Sequence, residues 1–334
     1  MMTLLVLSCG FGGAIADPET SPVTNTVPAP TSTLLPATAG PIANLPPWTL
    51  ATETRVLWRV GGDGIFASLG GMDTDGENVY IAEAYQGILV FDLKGNSQGV
   101  ISPGEIGYVV DVKVGPQGNL YMVDRAFHQV SMFNHDGDPL GAFGGIGTGN
   151  GAFGSDSPRS LAVGPEGEVF VLDHNQDAQG QALSRIQVFS VEGDFLRSFT
   201  LDPENDGQAI AVSPDNTLLL SSQKGYIAEF APDSGQLIQK LGLESLRDIY
   251  PQAIAVDDAG TMYVTAQIPA AVAVLDPLGK LVAWIGEETV RTDEGWPAGE
   301  FVFPFGIAVS PDGRTLFAGD TFETFSYVTA FERQ

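Results

Sequence analysis

Ser157-Pro158-Arg159-Ser160-Leu161-Ala162-Val163 opens a phrase that continues through Pro165-Glu166-Gly167, Val169-Phe170-Val171-Leu172-Asp173 and Arg185-Ile186-Gln187-Val188-Phe189. The phrase recurs six times between about residue 67 and the C-terminus. Each part is a short apolar strand, and turn residues join the parts. The register residue of the second strand falls at Tyr80, Tyr121, Phe170, Leu219, Tyr263 and Phe317, at intervals of 41, 49, 49, 44 and 54 residues. A four-stranded propeller blade takes roughly 40–50 residues, so the period fits one blade per copy. No stretch repeats apolar residues at i, i+3, i+4 and i+7, which removes helical repeats of similar length.

The parts are assigned strand by strand. Strand one reads Val112-Lys113-Val114, Leu161-Ala162-Val163, Ile210-Ala211-Val212, Ile254-Ala255-Val256 and Ile307-Ala308-Val309. Tight turns such as Pro116-Gln117-Gly118 and Pro311-Asp312-Gly313 follow, with Pro fixing the first turn residue and Gly accepting positive φ. Strand three ends in Val90-Phe91, Met132-Phe133, Val188-Phe189, Glu229-Phe230, Val274-Leu275 and Ala330-Phe331. The sixth copy stops there and lacks strand four. A lone strand-four look-alike, residues 55–61, precedes copy one. Pairing the two would close the ring and leave no open seam. The fold expected is all-β: a six-bladed propeller over 54–334, closed by the strand at 55–61. A five-bladed ring is the alternative, because residues 67–72 match strand one poorly.

The segment Asp173 to Phe189, with Arg185-Ile186-Gln187-Val188-Phe189, resembles the NHL repeat. Asp124 to Phe133 carries the same frame, with His128 at the family's His position. The family's inter-blade phrase is matched by Gly147-Thr148-Gly149-Asn150-Gly151-Ala152-Phe153 and by Gly299 to Gly306. The resemblance covers nearly all of 54–334 and is clearest in blades two, three and six. It implies an NHL-type six-bladed propeller and no single activity, because propellers host many unrelated functions.

The front end has a different composition. Val6-Leu7-Ser8-Cys9 resembles a bacterial lipobox, in which the cysteine is acylated, and Cys9 is the only cysteine of the chain. Residues 1–16 are therefore expected to be a signal and lipobox remnant. No Lys or Arg precedes the short apolar run, so the natural start is expected upstream. Residues 17–53 are crowded with Pro, Thr, Ser and Ala and are expected to be a disordered tether. The chain is thus expected to be an extracytoplasmic bacterial lipoprotein, reaching the membrane only through its lipid, with a secreted form as the alternative. A monomer is expected.

The 334 residues carry 15 Lys and Arg against 41 Asp and Glu, a net charge of −26. That charge excludes nucleic acid as a partner, since phosphate binding needs a basic face.

Propellers usually bind where strand one begins and strand two ends. Aligning the copies places Arg125, Arg159, His174, Gln208, Gln252 and Phe305 at that channel mouth, a mixed polar ring suited to a polar ligand or a protein loop. Glu83, Asp124, Asp173 and Asp320 share one repeat position, and recurrence marks them as caps for backbone N–H groups rather than a catalytic or calcium cluster. Asp202-Pro203-Glu204-Asn205-Asp206-Gly207 has the front half of a calcium loop, but Ser213 stands where its last acid should be, so it reads as a turn. Three histidines do not converge as a catalytic zinc would require. Trp296, in the long insertion 287–300, is the candidate anchor for a partner.

The reading that follows is a binding or scaffold module for a protein or glycan of the cell envelope, with no catalytic residues and no cofactor. The alternative is an enzyme resembling the calcium-dependent lactonases or propeller lyases, for which calcium would be the cofactor.

Overall fold

The computed structural model describes residues 54–102, 104–176, 182–205, 207–247 and 249–333. Cys9, the segments 1–16 and 17–53, and Asp206 lie outside these residues.

Six four-stranded antiparallel sheets form the ring. Their innermost strands are Leu69–Thr74, Val109–Val114, Ser160–Val163, Ala209–Val212, Pro251–Val256 and Pro304–Val309. All six contribute to the wall of one central cavity of about 120 Å³. The six register residues pair with equivalent partners on strand one: Asp73, Lys113, Ala162, Ala211, Ala255 and Ala308. Copy one is therefore a full blade, and the five-bladed alternative falls.

Thr54–Asp63 is the fourth strand of the last blade. It runs antiparallel to Phe325–Arg333, from Thr54 opposite Arg333 to Asp63 opposite Phe325. A β-bulge on strand four faces two consecutive residues near the end of strand three in blades one to five, at Val90/Phe91, Met132/Phe133, Val188/Phe189, Glu229/Phe230 and Val274/Leu275. The N-terminal strand has the same bulge between Val56 and Trp58, opposite Phe331 and Ala330. Bulges bend a strand and increase its twist. Repeating one at the same place gives all six outer edges a common shape, including the edge supplied from the far end of the chain.

Apolar side chains fill the space between neighbouring blades. Near the channel, polar bonds also cross every seam. Val114 N donates to Asp73 Oδ2 at 2.9 Å, Ser160 Oγ to Asp111 Oδ2 at 2.8 Å, and Ile210 N to Ser160 Oγ at 3.2 Å. Ser221 Oγ donates to Gln252 O at 2.9 Å, Thr265 Oγ1 to Phe305 O at 3.1 Å, and Leu69 N to Thr321 Oγ1 at 3.1 Å. Directional bonds at each seam fix the rotation of one blade against the next, which non-directional apolar packing leaves loose.

The strand order fixes two faces. The loops entering strand one and those joining strands two and three lie at the channel mouth. The strand-four start at Thr54 and the strand-three end at Arg333 lie on the opposite face.

Candidate functional site at the channel mouth

The recurring carboxylates are spent on the backbone. Glu83 accepts from the N–H groups of Ala67, Tyr85 and Gln86 at 2.6, 2.9 and 2.8 Å. Asp124 accepts from Gly107, Tyr108, Ala126 and Phe127 between 2.6 and 3.0 Å. Asp320 holds Val302 N and Phe303 N at 2.8 and 2.6 Å. Asp173 takes Gly154 N at 2.8 Å and the Arg185 guanidinium at 2.7 Å. Each cap ties the lead-in loop of its blade to the end of strand two, so the mouth loops hang from buried charges. With their lone pairs aimed at N–H donors, these carboxylates do not make a cage for calcium. Among the described residues, no group of three or more His, Cys, Asp or Glu side chains is placed to hold a metal ion.

On this capped frame an arc of side chains crosses four blades. Tyr85 meets Tyr108 edge to face, with ring centroids 5.6 Å apart. The Arg125 guanidinium lies over the Tyr108 ring at 5.1 Å. Arg125 Nη1 is 3.7 Å from Asp156 Oδ1, and the other Asp156 oxygen bonds Arg159 Nη2. Arg159 Nη1 reaches Gln208 Oε1 at 3.4 Å. The arc thus joins aromatic surface at blade one to an arginine pair at blades two and three.

Two cavities flank the arc. One, of about 210 Å³, is lined by Arg125, Tyr108, Phe303 and Phe305. The other, of about 340 Å³, is lined by Asp156, Arg159, His174 and Asn175. Of the residues placed at the mouth by alignment, Arg125, Arg159, His174, Gln208 and Phe305 come together around these cavities and the arc between them. Gln252 does not join them: its side chain is buried, and its Nε2 has no acceptor among the described residues. Alignment missed Tyr85, Tyr108 and Asp156, because these sit in lead-in and turn segments whose lengths differ from copy to copy.

Trp296 requires a correction. It is 4% exposed and packs against Phe325 and Tyr327 rather than facing solvent. The Arg59 guanidinium stacks on the Tyr327 ring at 3.2 Å and donates to the Trp296 carbonyl, which draws the insertion back onto blade six. The large apolar groups that the mouth face does expose are others, among them Tyr85, Phe127, Tyr250, Ile268 and Phe322. Among the described residues, Leu278 is the exposed large apolar side chain in the turns of the opposite face.

Two other expectations find their places. His128 Nδ1 lies 3.0 Å from Gly154 O and 2.9 Å from Ser157 O, a scaffold contact between blades two and three. The acidic stretch after blade three forms a short 3₁₀ turn, Pro203–Asn205, with Glu204 N donating to Asp202 Oδ1 at 2.9 Å.

No family model matches the chain, and neither does any curated protein. Solved structures do match it. Virginiamycin B lyase from Staphylococcus aureus superposes with a TM-score of 0.55 at 13% identity, over 84% of this chain and 100% of that one. A gluconolactonase from Xanthomonas campestris superposes with a TM-score of 0.58 at 15% identity, over 87% and 99%. At such identities the likeness shows the propeller fold alone.

Proposed function

We propose that the chain is a lipid-anchored, extracytoplasmic propeller of the NHL type whose channel mouth binds a protein or glycan partner of the cell envelope. The observation that carries this reading is the arc from Tyr85 through Tyr108, Arg125 and Asp156 to Arg159. Tyr and Arg are the side chains that dominate binding energy at interfaces, and both also suit the ring faces and hydroxyls of sugars. The exposed apolar groups of the same face extend the surface around the arc. The position of Thr54 adds a geometric argument. A chain tethered through Cys9 would enter the propeller on the face opposite the mouth, so the mouth would point away from the anchoring membrane.

The test is capture from envelope extract with the wild-type protein and with an Arg159→Ala, Phe305→Ala double variant. The reading requires that a partner retained by the wild type be lost by the variant. Equal capture by both proteins rules the mouth out as the binding face.

A second reading, an enzyme of lyase or lactonase type, draws on the folds it shares with virginiamycin B lyase and gluconolactonase, and on His174 beside Arg159 in one cavity. Stoichiometric calcium or zinc that survives dialysis of the purified protein would favour it over the binding module.

A further inference from the structure

We infer that the arginine pair at the mouth is a carboxylate-binding subsite, that Asp156 fills it in the free protein, and that the ligand it takes is a carboxylate bearing an adjacent aromatic group. This rests on the mouth being the binding face and names the chemistry bound there.

Arg185, Arg55 and Arg291 each have a carboxylate of their own, in Asp173, Glu332 and Glu323. At the mouth two guanidinium groups share the single carboxylate of Asp156. Arg125 stands 3.7 Å from it, beyond hydrogen-bond reach. Arg159 uses Nη2 on Asp156 and Nη1 on Gln208, and its Nε, like those of Arg55 and Arg291, has no acceptor among the described residues. The Nε–Nη2 edge is the one that a carboxylate grips with two parallel bonds, and here it is half used. In a chain of net charge −26, this cluster of two guanidinium groups on one exposed carboxylate stands against the general charge.

Asp156 is also the replaceable member. The capping carboxylates are locked by buried backbone donors, as at Asp124. The side chain of Asp156 is 57% exposed, and its partners are the two arginines. A ligand carboxylate can displace it without breaking the loop, at the expense of one exposed ion pair of the kind that contributes little to stability. Beside Arg125, the cavity lined by Tyr108, Phe303 and Phe305 has room for one aromatic side chain but not for a drug-sized molecule. Arg125 lines this cavity and also faces Asp156, so a ligand with its ring in the cavity can present a nearby carboxylate to the pair. Both a free aromatic acid and the C-terminal residue of a polypeptide meet that description.

The test is a chemical-shift titration of the full chain at low salt with four probes: N-acetylphenylalanine, its amide, a pentapeptide ending in free Phe, and the same peptide amidated. Both acids should bind and both amides should bind at least about tenfold more weakly. Arg125→Ala and Arg159→Ala should each weaken the acids by about tenfold, and Asp156→Asn should tighten them severalfold. A peptide that binds more tightly than the free acid identifies a polypeptide end as the source, and equal binding identifies the free acid. Equal binding of acids and amides, absence of binding to Asp156→Asn, or weakening by Asp156→Asn overturns the inference. If Arg159→Ala fails to fold, Arg125→Ala alone decides, since its side chain is 36% exposed. If the mouth double variant loses its envelope partner but the acids do not compete with that partner, the mouth reading stands and the carboxylate inference falls.

Discussion

Arg185 Nε donates to Asp173 Oδ2 at 2.7 Å inside blade three, where both side chains are almost fully closed to water. The same guanidinium donates to the carbonyls of Thr148, Gly149 and Ala152, at 3.1, 2.9 and 2.9 Å. Gln187 completes the clamp: its Nε2 bonds Ala152 O at 2.7 Å, and its Oε1 accepts from Gly151 N at 2.9 Å. Two residues of the Arg-Ile-Gln-Val-Phe stretch therefore grip the glycine-rich inter-blade phrase, and that phrase leads directly to Asp156 and Arg159.

Removing the guanidinium strands the Asp173 charge in the interior. Arg185→Ala should destabilise the propeller by about 3–5 kcal/mol, the usual effect of breaking a buried pair from one side. Arg185→Lys should recover little, because an ammonium cannot reproduce the planar fork that spans a carboxylate and three carbonyls. Urea unfolding followed by tryptophan fluorescence measures both.

Closure by the N-terminal strand rests on Trp58. Its ring is buried against Phe317 and Phe91, with centroids 5.8 and 6.5 Å away, and its Nε1 donates to Leu93 O at 2.9 Å. Blade six is thereby sealed to blade one. Trp58→Ala should lower stability by roughly 3–5 kcal/mol. Deletion of residues 54–63 should expose the Phe325–Arg333 edge and produce concentration-dependent association in size-exclusion chromatography.

Asp320 should give stability an unusual pH dependence. Burial lifts its carboxyl from the ordinary value to about 6, against the opposing pull of the Val302 and Phe303 N–H groups, the Trp296 side chain and Arg59. The folded chain then binds this proton more tightly than the unfolded chain. Its contribution is therefore most favourable below pH 4 and is lost as pH rises to about 6, a change of up to about 3 kcal/mol. Asp75, Asp92 and Glu168 are shifted downward and slope the other way. The difference between wild type and Asp320→Asn isolates the effect: it should move against the wild type between pH 4 and 6.5. A pH-independent difference in chemical denaturation would refute it.

The strand assignments of blades two to six, the closing strand and the capping carboxylates were legible in the sequence because each recurs or fills a gap in a recurrence. Copy one was poorly legible for a reason visible at Gly71. A β-carbon there would lie 1.9 Å from Asp111 Oδ1, and one at Gly70 would lie 2.4 Å from Val110 O. The glycines in strand one of blade one leave room for the Asp111 side chain, which binds Ser160 Oγ and Leu161 N at 2.8 and 3.0 Å. Trp296 misled because a tryptophan in a long insertion reads alike whether it is exposed or folded back, and its partners Phe325 and Tyr327 belong to another strand. The arc at the mouth escaped alignment because Tyr108 and Asp156 lie in loops of unequal length. Function was less legible than fold, since non-repeating residues leave no internal comparison.

Gly71→Ala follows from the same geometry. The added methyl group would press on a carboxylate held from four sides, by Ser160, Leu161, Val112 N at 2.9 Å and Lys113 Nζ at 2.9 Å. A loss of about 1–3 kcal/mol is expected, as for other overpacked sites, with a matching fall in the thermal midpoint. Gly64→Ala is the control: a β-carbon there meets nothing within 4 Å, so only the strain of its positive φ applies.

On the proposed reading the mouth face, not the opposite one, meets the partner. A photo-crosslinking residue placed at Tyr85 on the mouth, or at Leu278 on the opposite face, tests it in intact cells, both positions being exposed at 60% and 83%. A discrete adduct from position 85 that disappears with Arg159→Ala, and none from position 278, is expected. An adduct from position 278 with none from position 85 would contradict it.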